Sequence, residues 1–387
     1  LQDCRPPLAR VRPDWLGIAV VGLVAAGLGL LGVNVILNMH AAGLTPGYGF
    51  MAQAAGFDLS ESLIPYTAGD TYARVIFAGL LNTVFLALAS LALATVLGVV
   101  MGLVSVTPSP PGRAVALLYV ELFRNLPKIL VLLVLYVVAV RGLPPVRAAL
   151  SLGPAHLSNR SIYLPTVLPD PSQIWLILPL AASALAALWW TRKAARIKRD
   201  TGREWPVVPV VLALIVGGPL GFALLADVPL TLSLPRLERF DYVGGMRLSV
   251  QFIVVLLTLG LYHGAQICEV VRGGILAVPA GQVEAARALG LTSGQVTRLV
   301  VLPLVLRTVI PPMINQYVNL IKNTSIAIAV GYSDLMSVSG TIINQTFRPL
   351  EMMLVTMGLY LGLCLLASSL MNRVNDRLQA RTARTAP

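Results

Sequence analysis

Charge is scarce in this chain. Only 12% of its 387 residues are Asp, Glu, Lys or Arg, about half the proportion of a typical soluble domain, and 56% are hydrophobic. A water-soluble globular protein is thereby excluded. Cysteine is equally sparse: Cys4, Cys268 and Cys364 are odd in number and far apart, which fits neither a disulfide framework nor a zinc site. No G-x-x-x-x-G-K-[ST] occurs anywhere, so the chain does not hydrolyse ATP by the P-loop route. "GLGLLG" at 27–32 has the dinucleotide-fingerprint spacing, but it sits inside an apolar run with no strand before it and reads as a helix-packing surface, as does Gly98-x-x-x-Gly102.

What the chain has is long apolar runs. Stretches near the ~20 residues that cross a bilayer fall at 15–37, 80–106, 174–190, 207–226 and 351–371, and three more, 115–140, 248–271 and 304–332, are interrupted by polar residues. The sequence thus predicts an all-α integral membrane protein of about eight transmembrane helices. The first run exceeds the 7–15 apolar residues of a signal peptide and no clear cleavage site follows, so it reads as a retained anchor. The net charge of +12 would suggest a nucleic-acid partner in a soluble chain. Here its placement carries the meaning, and no nucleic acid is expected. Arg5, Arg10 and Arg12, then Arg113, the block "TRKAARIKRDTGR", Arg272–Arg298 and Arg373–Arg384 fall on one side, which holds most of the 29 Lys and Arg. The positive-inside rule makes that side, and both termini, cytoplasmic.

Three divisions follow. Residues 1–74 carry the anchor and an external loop, 75–375 the main membrane domain with an inserted hairpin near 174–226, and 376–387 a cytoplasmic tail. Six prolines between 144 and 171 forbid a long helix there and mark an external loop. Polar membrane residues gather in four segments: Asn82 and Thr83; Glu121, Arg124, Asn125 and Lys128; His263, Gln266 and Glu269; and "NQYVNLIKNTS" at 315–325. Ionisable groups in a bilayer cost several kcal/mol on most scales and face protein or water, so these segments should form the working core.

One polar cassette stands out between spans, "EAARALGLTSGQVTRLVVLP" at 284–303. Pro279 suits a first helical turn, "AGQVEAARAL" favours helix, and Gly290 suits the left-handed position that ends one. Thr292 with Gln295 has capping-box spacing for a second helix that runs to Pro303.

The cassette resembles the EAA loop of binding-protein-dependent ABC importer permeases: Glu284-Ala285-Ala286, Gly290, Val300 and Leu302-Pro303 stand at that family's spacing. "YVELFRNLP", "EVVRGGILAVPAGQ" and "VLRTVIPPMINQYVNLIKNTSIA" are similar to its polar amino-acid branch, and the anchor and hairpin to the long subunit of the general L-amino-acid permeases. The resemblance implies a type I ABC importer permease fold in a bacterial inner membrane, with alternating access driven by others. The implied partners are a second, homologous permease, two copies of a cytoplasmic ATPase that hold ATP and Mg, and a periplasmic amino-acid-binding protein. No cofactor is implied on this chain. Glu284, Ala285, Ala286, Gly290, Leu302 and Pro303 would form the ATPase-coupling loop. Asn315, Asn319, Asn323, Lys322, Glu121, Arg124 and Asn125 are the candidate substrate path, the three asparagines sharing one helical face.

Two departures bear on that path. The chain has "RNLPKILV" where related sequences often have "RNxPLLLQ", and His263 stands where small or apolar residues are usual. Arg124, Lys128 and Lys322 each suit a substrate carboxylate, pairing with Glu121, or snorkelling to an interface. An ion-coupled secondary transporter, with Glu121 or Glu269 as ion ligand, and a non-transporting membrane scaffold are the alternatives.

Overall fold

The computed structural model describes residues 15–41, 47–167, 177–201, 205–225 and 232–383. Cys4, the N-terminal arginines, Arg203 and Arg384 lie outside the described residues, as do parts of the external segments.

Helix α1, Trp15–Ala41, is apolar up to Asn34, and none of its spanning window is buried against the rest of the chain. Helix α2, Tyr72–Ser105, starts at Thr71, whose hydroxyl accepts from the Arg74 N–H at 3.3 Å. Ser109 caps α3, Pro110–Asn125, and two prolines open it, where a missing N–H costs nothing. It ends because Pro127 forces Leu126 into extended backbone (ψ 136°), and α4, Lys128–Gly142, leaves at 105° to it. The expected span 115–140 is therefore a broken one.

The proline-rich segment forms no long helix but is not unstructured. It forms β1, Leu150–Leu152, β2, Ala155–Leu157, β3, Ser161–Leu164, and β4, Thr166–Val167. After the hairpin come β5, Leu232–Ser233, β6, Arg236–Glu238, β7, Asp241–Val243, and β8, Met246–Ser249. Strands β1-β2-β3-β8 make an antiparallel sheet in which Ser161 faces Ser249 and Leu164 faces Met246. Prolines sit between these strands rather than within them, which keeps each short.

The hairpin is α5, Ile177–Thr201, and α6, Val208–Leu225. Helix α5 extends through most of the basic block, because Ala, Arg and Lys favour helix. Helix α7, Val250–Leu276, begins at Ser249, whose hydroxyl caps the Phe252 N–H. The short α8, Ala280–Ala288, and α9, Ser293–Val296, follow, then a π-helical turn at Thr297–Val301. Helix α10, Leu302–Asn323, continues into a 3-10 stretch, Thr324–Val330. Helix α11, Leu335–Thr346, is capped by Asp334, and α12, Pro349–Ala383, closes the chain.

Among the described residues five helical segments, α1, α2, α7, Ser293–Val330 and α12, are long and apolar enough to cross a bilayer, and the bent α3–α4 pair makes a sixth. Two further expected spans coincide with the hairpin helices; the charged second half of α5 lowers its apolarity. The architecture is mostly helical, with the named strands confined to the segments 150–167 and 232–249 among the described residues.

The most extensive pairing is α2 against α7. A Cβ on Gly98 would lie 2.5 Å from Ile267 and 2.8 Å from the Gly264 carbonyl oxygen. Only glycine permits that approach. Around the pair, Leu86, Leu132, Val255, Leu259 and Tyr332 form one buried cluster that joins α2, α4, α7 and the turn before α11.

Candidate functional site

The 280–303 cassette folds as two helices joined at a reversal. Gly290 has φ +78°. Its N–H donates to the Arg287 carbonyl at 2.9 Å and the Leu291 N–H to Ala286 at 3.3 Å, the paired bonds of a Schellman stop. Thr292 then starts α9 with a capping box: its hydroxyl accepts from the Gln295 N–H, and its own N–H donates to Gln295 Oε1 at 2.9 Å. Pro279 is the residue before the first turn rather than within it. Glu284 and Ala285 are exposed, as is Leu289 at 82%, whereas Ala286 is only 5% exposed. Ala285 therefore belongs to the outer surface and Ala286 to the pair's own packing. Leu302, still half exposed, and Pro303 are the first two residues of α10.

Inside the bundle the candidate path residues divide into three groups. At the end of α3, Asn125 donates to Glu121 Oε2 at 2.8 Å. Arg124 does not pair with Glu121; it reaches Glu269 of α7 at 3.7 Å, and Arg272 holds the same carboxylate through two 2.9 Å bonds. One carboxylate thus neutralises two guanidinium groups only in part.

The second group is a junction of α4, α7 and α10 that sequence spacing did not reveal. Lys128, the first residue of α4, donates through Nζ to Asn323 Oδ1, 195 positions away, and lies 5.5 Å from the centre of the Tyr262 ring. With Oδ1 engaged, the amide nitrogen of Asn323 is the end that faces His263 Nε2, at 3.1 Å. The amide nitrogen donates and His263 Nε2 accepts, which assigns the imidazole proton to Nδ1. His263 is 1% exposed, and its Nδ1 has no hydrogen-bond partner. The only advance signal was polarity itself: a lysine and a histidine in otherwise apolar segments.

The third group is surface. Asn315 and Asn319 are exposed on α10, while Val318 and Ile321 pack toward α2 and Cys364 of α12. Lys322 points away from the junction and lines a cavity of about 590 Å³ between α10 and α12, with Val318, Tyr360 and Cys364. Of the three asparagines, only Asn323 turns inward.

Residues 94–380 match the family described as binding-protein-dependent transport system inner membrane component. The chain belongs to that family. The match takes in the α8–α9 pair and the polar junction and leaves α1, the loop after it and the first part of α2 outside.

Relatives extend the likeness over nearly the whole permease. The general L-amino acid transport system permease protein AapQ of Rhizobium johnstonii is 37% identical over 346 residues, 89% of this chain and 86% of its own length. The glutamate/glutamine/aspartate/asparagine transport system permease protein BztB of Rhodobacter capsulatus is 36% identical over 409 residues, covering 96% and 95%. A solved amino acid ABC transporter, crystallised with histidines, overlays 79% of this chain and 95% of its own with a TM-score of 0.46 at 18% identity.

Proposed function

We propose that this chain is a permease subunit of an ATP-driven, binding-protein-dependent importer of polar L-amino acids. Its partners in this reading are a second, homologous permease, two cytoplasmic ATPase subunits that bind ATP and Mg, and a periplasmic amino-acid-binding protein. The bilayer is a bacterial inner membrane, with both termini cytoplasmic. The observation that carries the reading is the exposed α8–α9 pair in a chain that is 36–37% identical to two amino-acid permeases along most of its length.

The pair suits docking on a partner. Leu289 is an apolar tip with nothing over it, Glu284 and Ala285 share the outer surface of α8, and the capping box and Schellman bonds hold the reversal rigid. A rigid tip passes displacement on; a flexible one absorbs it. The ion-coupled alternative is weakened by Glu269, whose carboxylate is held by Arg124 and Arg272 rather than free to bind a cation.

The test is reconstitution of the chain with its proposed partners in liposomes. Uptake of labelled glutamate or glutamine should require internal ATP and the binding protein, and should persist when sodium and proton gradients are collapsed. Uptake driven by either gradient without ATP would replace the importer with a secondary transporter.

A further inference from the structure

The junction of α4, α7 and α10 carries a charge without a counter-charge. Among the described residues, no carboxylate lies within 4 Å of Lys128 Nζ, whereas Arg124 and Arg272, one helical turn or more away in their own segments, share Glu269. The partners of Lys128 are the Asn323 amide and the Tyr262 ring, both neutral. They orient the ammonium group but leave its charge uncompensated, a costly arrangement in a membrane bundle unless an anion arrives.

The surroundings favour one. Lys128 opens α4 directly after the 105° bend, so the Lys128 and Ile129 N–H groups at the start of a 15-residue helix gather at the same place as the ammonium, while those of Leu130 and Val131 donate to the Pro127 carbonyl. Beside them the buried His263 ring holds Asn323 from one side, with the Gln316 amide next to the ring. The side chain of Lys128 is itself only half buried, so it remains reachable from the open face of α4. The charge left without a counter-charge at this junction is therefore that of Lys128.

We propose that Lys128, with Asn323 and His263 holding it in place, binds a carboxylate of the transported amino acid inside the membrane domain. The proposal rests on the importer reading above. It narrows the substrate contact to this junction: Arg124 is partly neutralised by Glu269, and Lys322 faces the separate cavity against α12. The carboxylate is either the α-carboxylate common to all amino acids or the side-chain carboxylate of an acidic one.

The experiment uses the complete reconstituted importer, with uptake of L-glutamate and L-glutamine expressed per assembled complex. ATP-dependent uptake by the parent establishes the importer reading on its own, and its absence would count against that reading rather than against Lys128. Lys128→Met should then lower uptake roughly 10- to 100-fold, the size expected for a lost charged hydrogen bond, while Lys128→Arg keeps most of it. Loss for both substrates assigns the α-carboxylate; loss for glutamate alone assigns the side chain. Asn323→Asp, nearly isosteric, supplies Lys128 with a permanent internal counter-ion and should lower uptake in the same pattern, so the test survives if Lys128→Met fails to assemble. Parent-like uptake by Lys128→Met or by Asn323→Asp, or equal loss in Lys128→Met and Lys128→Arg, overturns the proposal.

Discussion

Asn82, ten residues into α2, donates through its amide to the backbone carbonyl of Ser333 at 2.8 Å, across 251 positions of sequence. The same amide donates to the Glu61 backbone carbonyl at 2.9 Å, so one 1%-exposed side chain ties the loop before α2 to the turn before α11. Ser60 adds a hydroxyl contact to Ser333 at 2.7 Å. Replacing Asn82 by Leu leaves two buried carbonyls unpaired, at a cost of about 1–3 kcal/mol each. The thermal midpoint of the detergent-solubilised protein should fall, and proteolysis within 49–71 should accelerate. An unchanged midpoint and cleavage rate would show that the loop is held elsewhere.

Gly290 offers a separable test of coupling. A side chain there meets nothing within 4 Å, so Gly290→Val acts through the left-handed backbone alone, costing about 1–2 kcal/mol at φ +78°. ATP-driven uptake per complex should drop while membrane insertion and the fold of the bundle persist. Glu284→Lys, which reverses an exposed charge without backbone strain, should give the same phenotype if the outer surface of α8 meets the ATPase. Co-purification of the ATPase with each variant measures the docking directly.

The α2–α7 contact predicts a third outcome. Gly98→Leu places a side chain where Ile267 and the Gly264 carbonyl already lie within 3 Å of a Cβ, and overpacking of this kind costs typically about 1–3 kcal/mol. Gly22→Leu in α1 meets nothing within 4 Å and should be neutral. The two are compared by yield of monodisperse protein.

Glu61, in the loop before α2, gives a pH signature. Burial pushes its carboxyl above the usual 4.5, against the lowering effect of the Ser249 N–H that donates to it. The folded state then holds this proton more tightly than the unfolded chain. Stability should therefore decline as pH rises from about 4.5 through the raised folded-state value, and level off above it. In Glu61→Gln that decline should disappear from thermal midpoints measured across the acidic range; its persistence would assign the slope to another group.

Much of this was legible beforehand because it is local. The capping box at Thr292, the left-handed Gly290 and the Gly98-x-x-x-Gly102 contact depend on residues a few positions apart, and each took the form its spacing implied. Helix α11 was not legible: it has only twelve residues, mixed polar and apolar, and its helical state rests on the Asp334 cap and on buried Leu335, Val338 and Ile342 packing against α2 and α12. The strands were hidden by their shortness and by the prolines between them. The pairing of Lys128 with Asn323, and of Arg124 with Glu269 rather than Glu121, could not be read from either segment, since each depends on how three helices cross.

Only Ala277, Val278 and Pro279 separate the end of α7 from the start of α8, and glycine contacts lock α7 along α2. Such a joint has almost no play. A push on α8 is therefore delivered to a stiff double beam rather than to a single rod, and a helix of 27 residues is a lever about 40 Å long. A tilt of about 5° at the α8 end would swing the far end by roughly 3–4 Å, about the length of a hydrogen bond. The end of that lever away from α8 runs straight into β8, which pairs with β3, so any tilt of the helix reaches the four-stranded sheet as well.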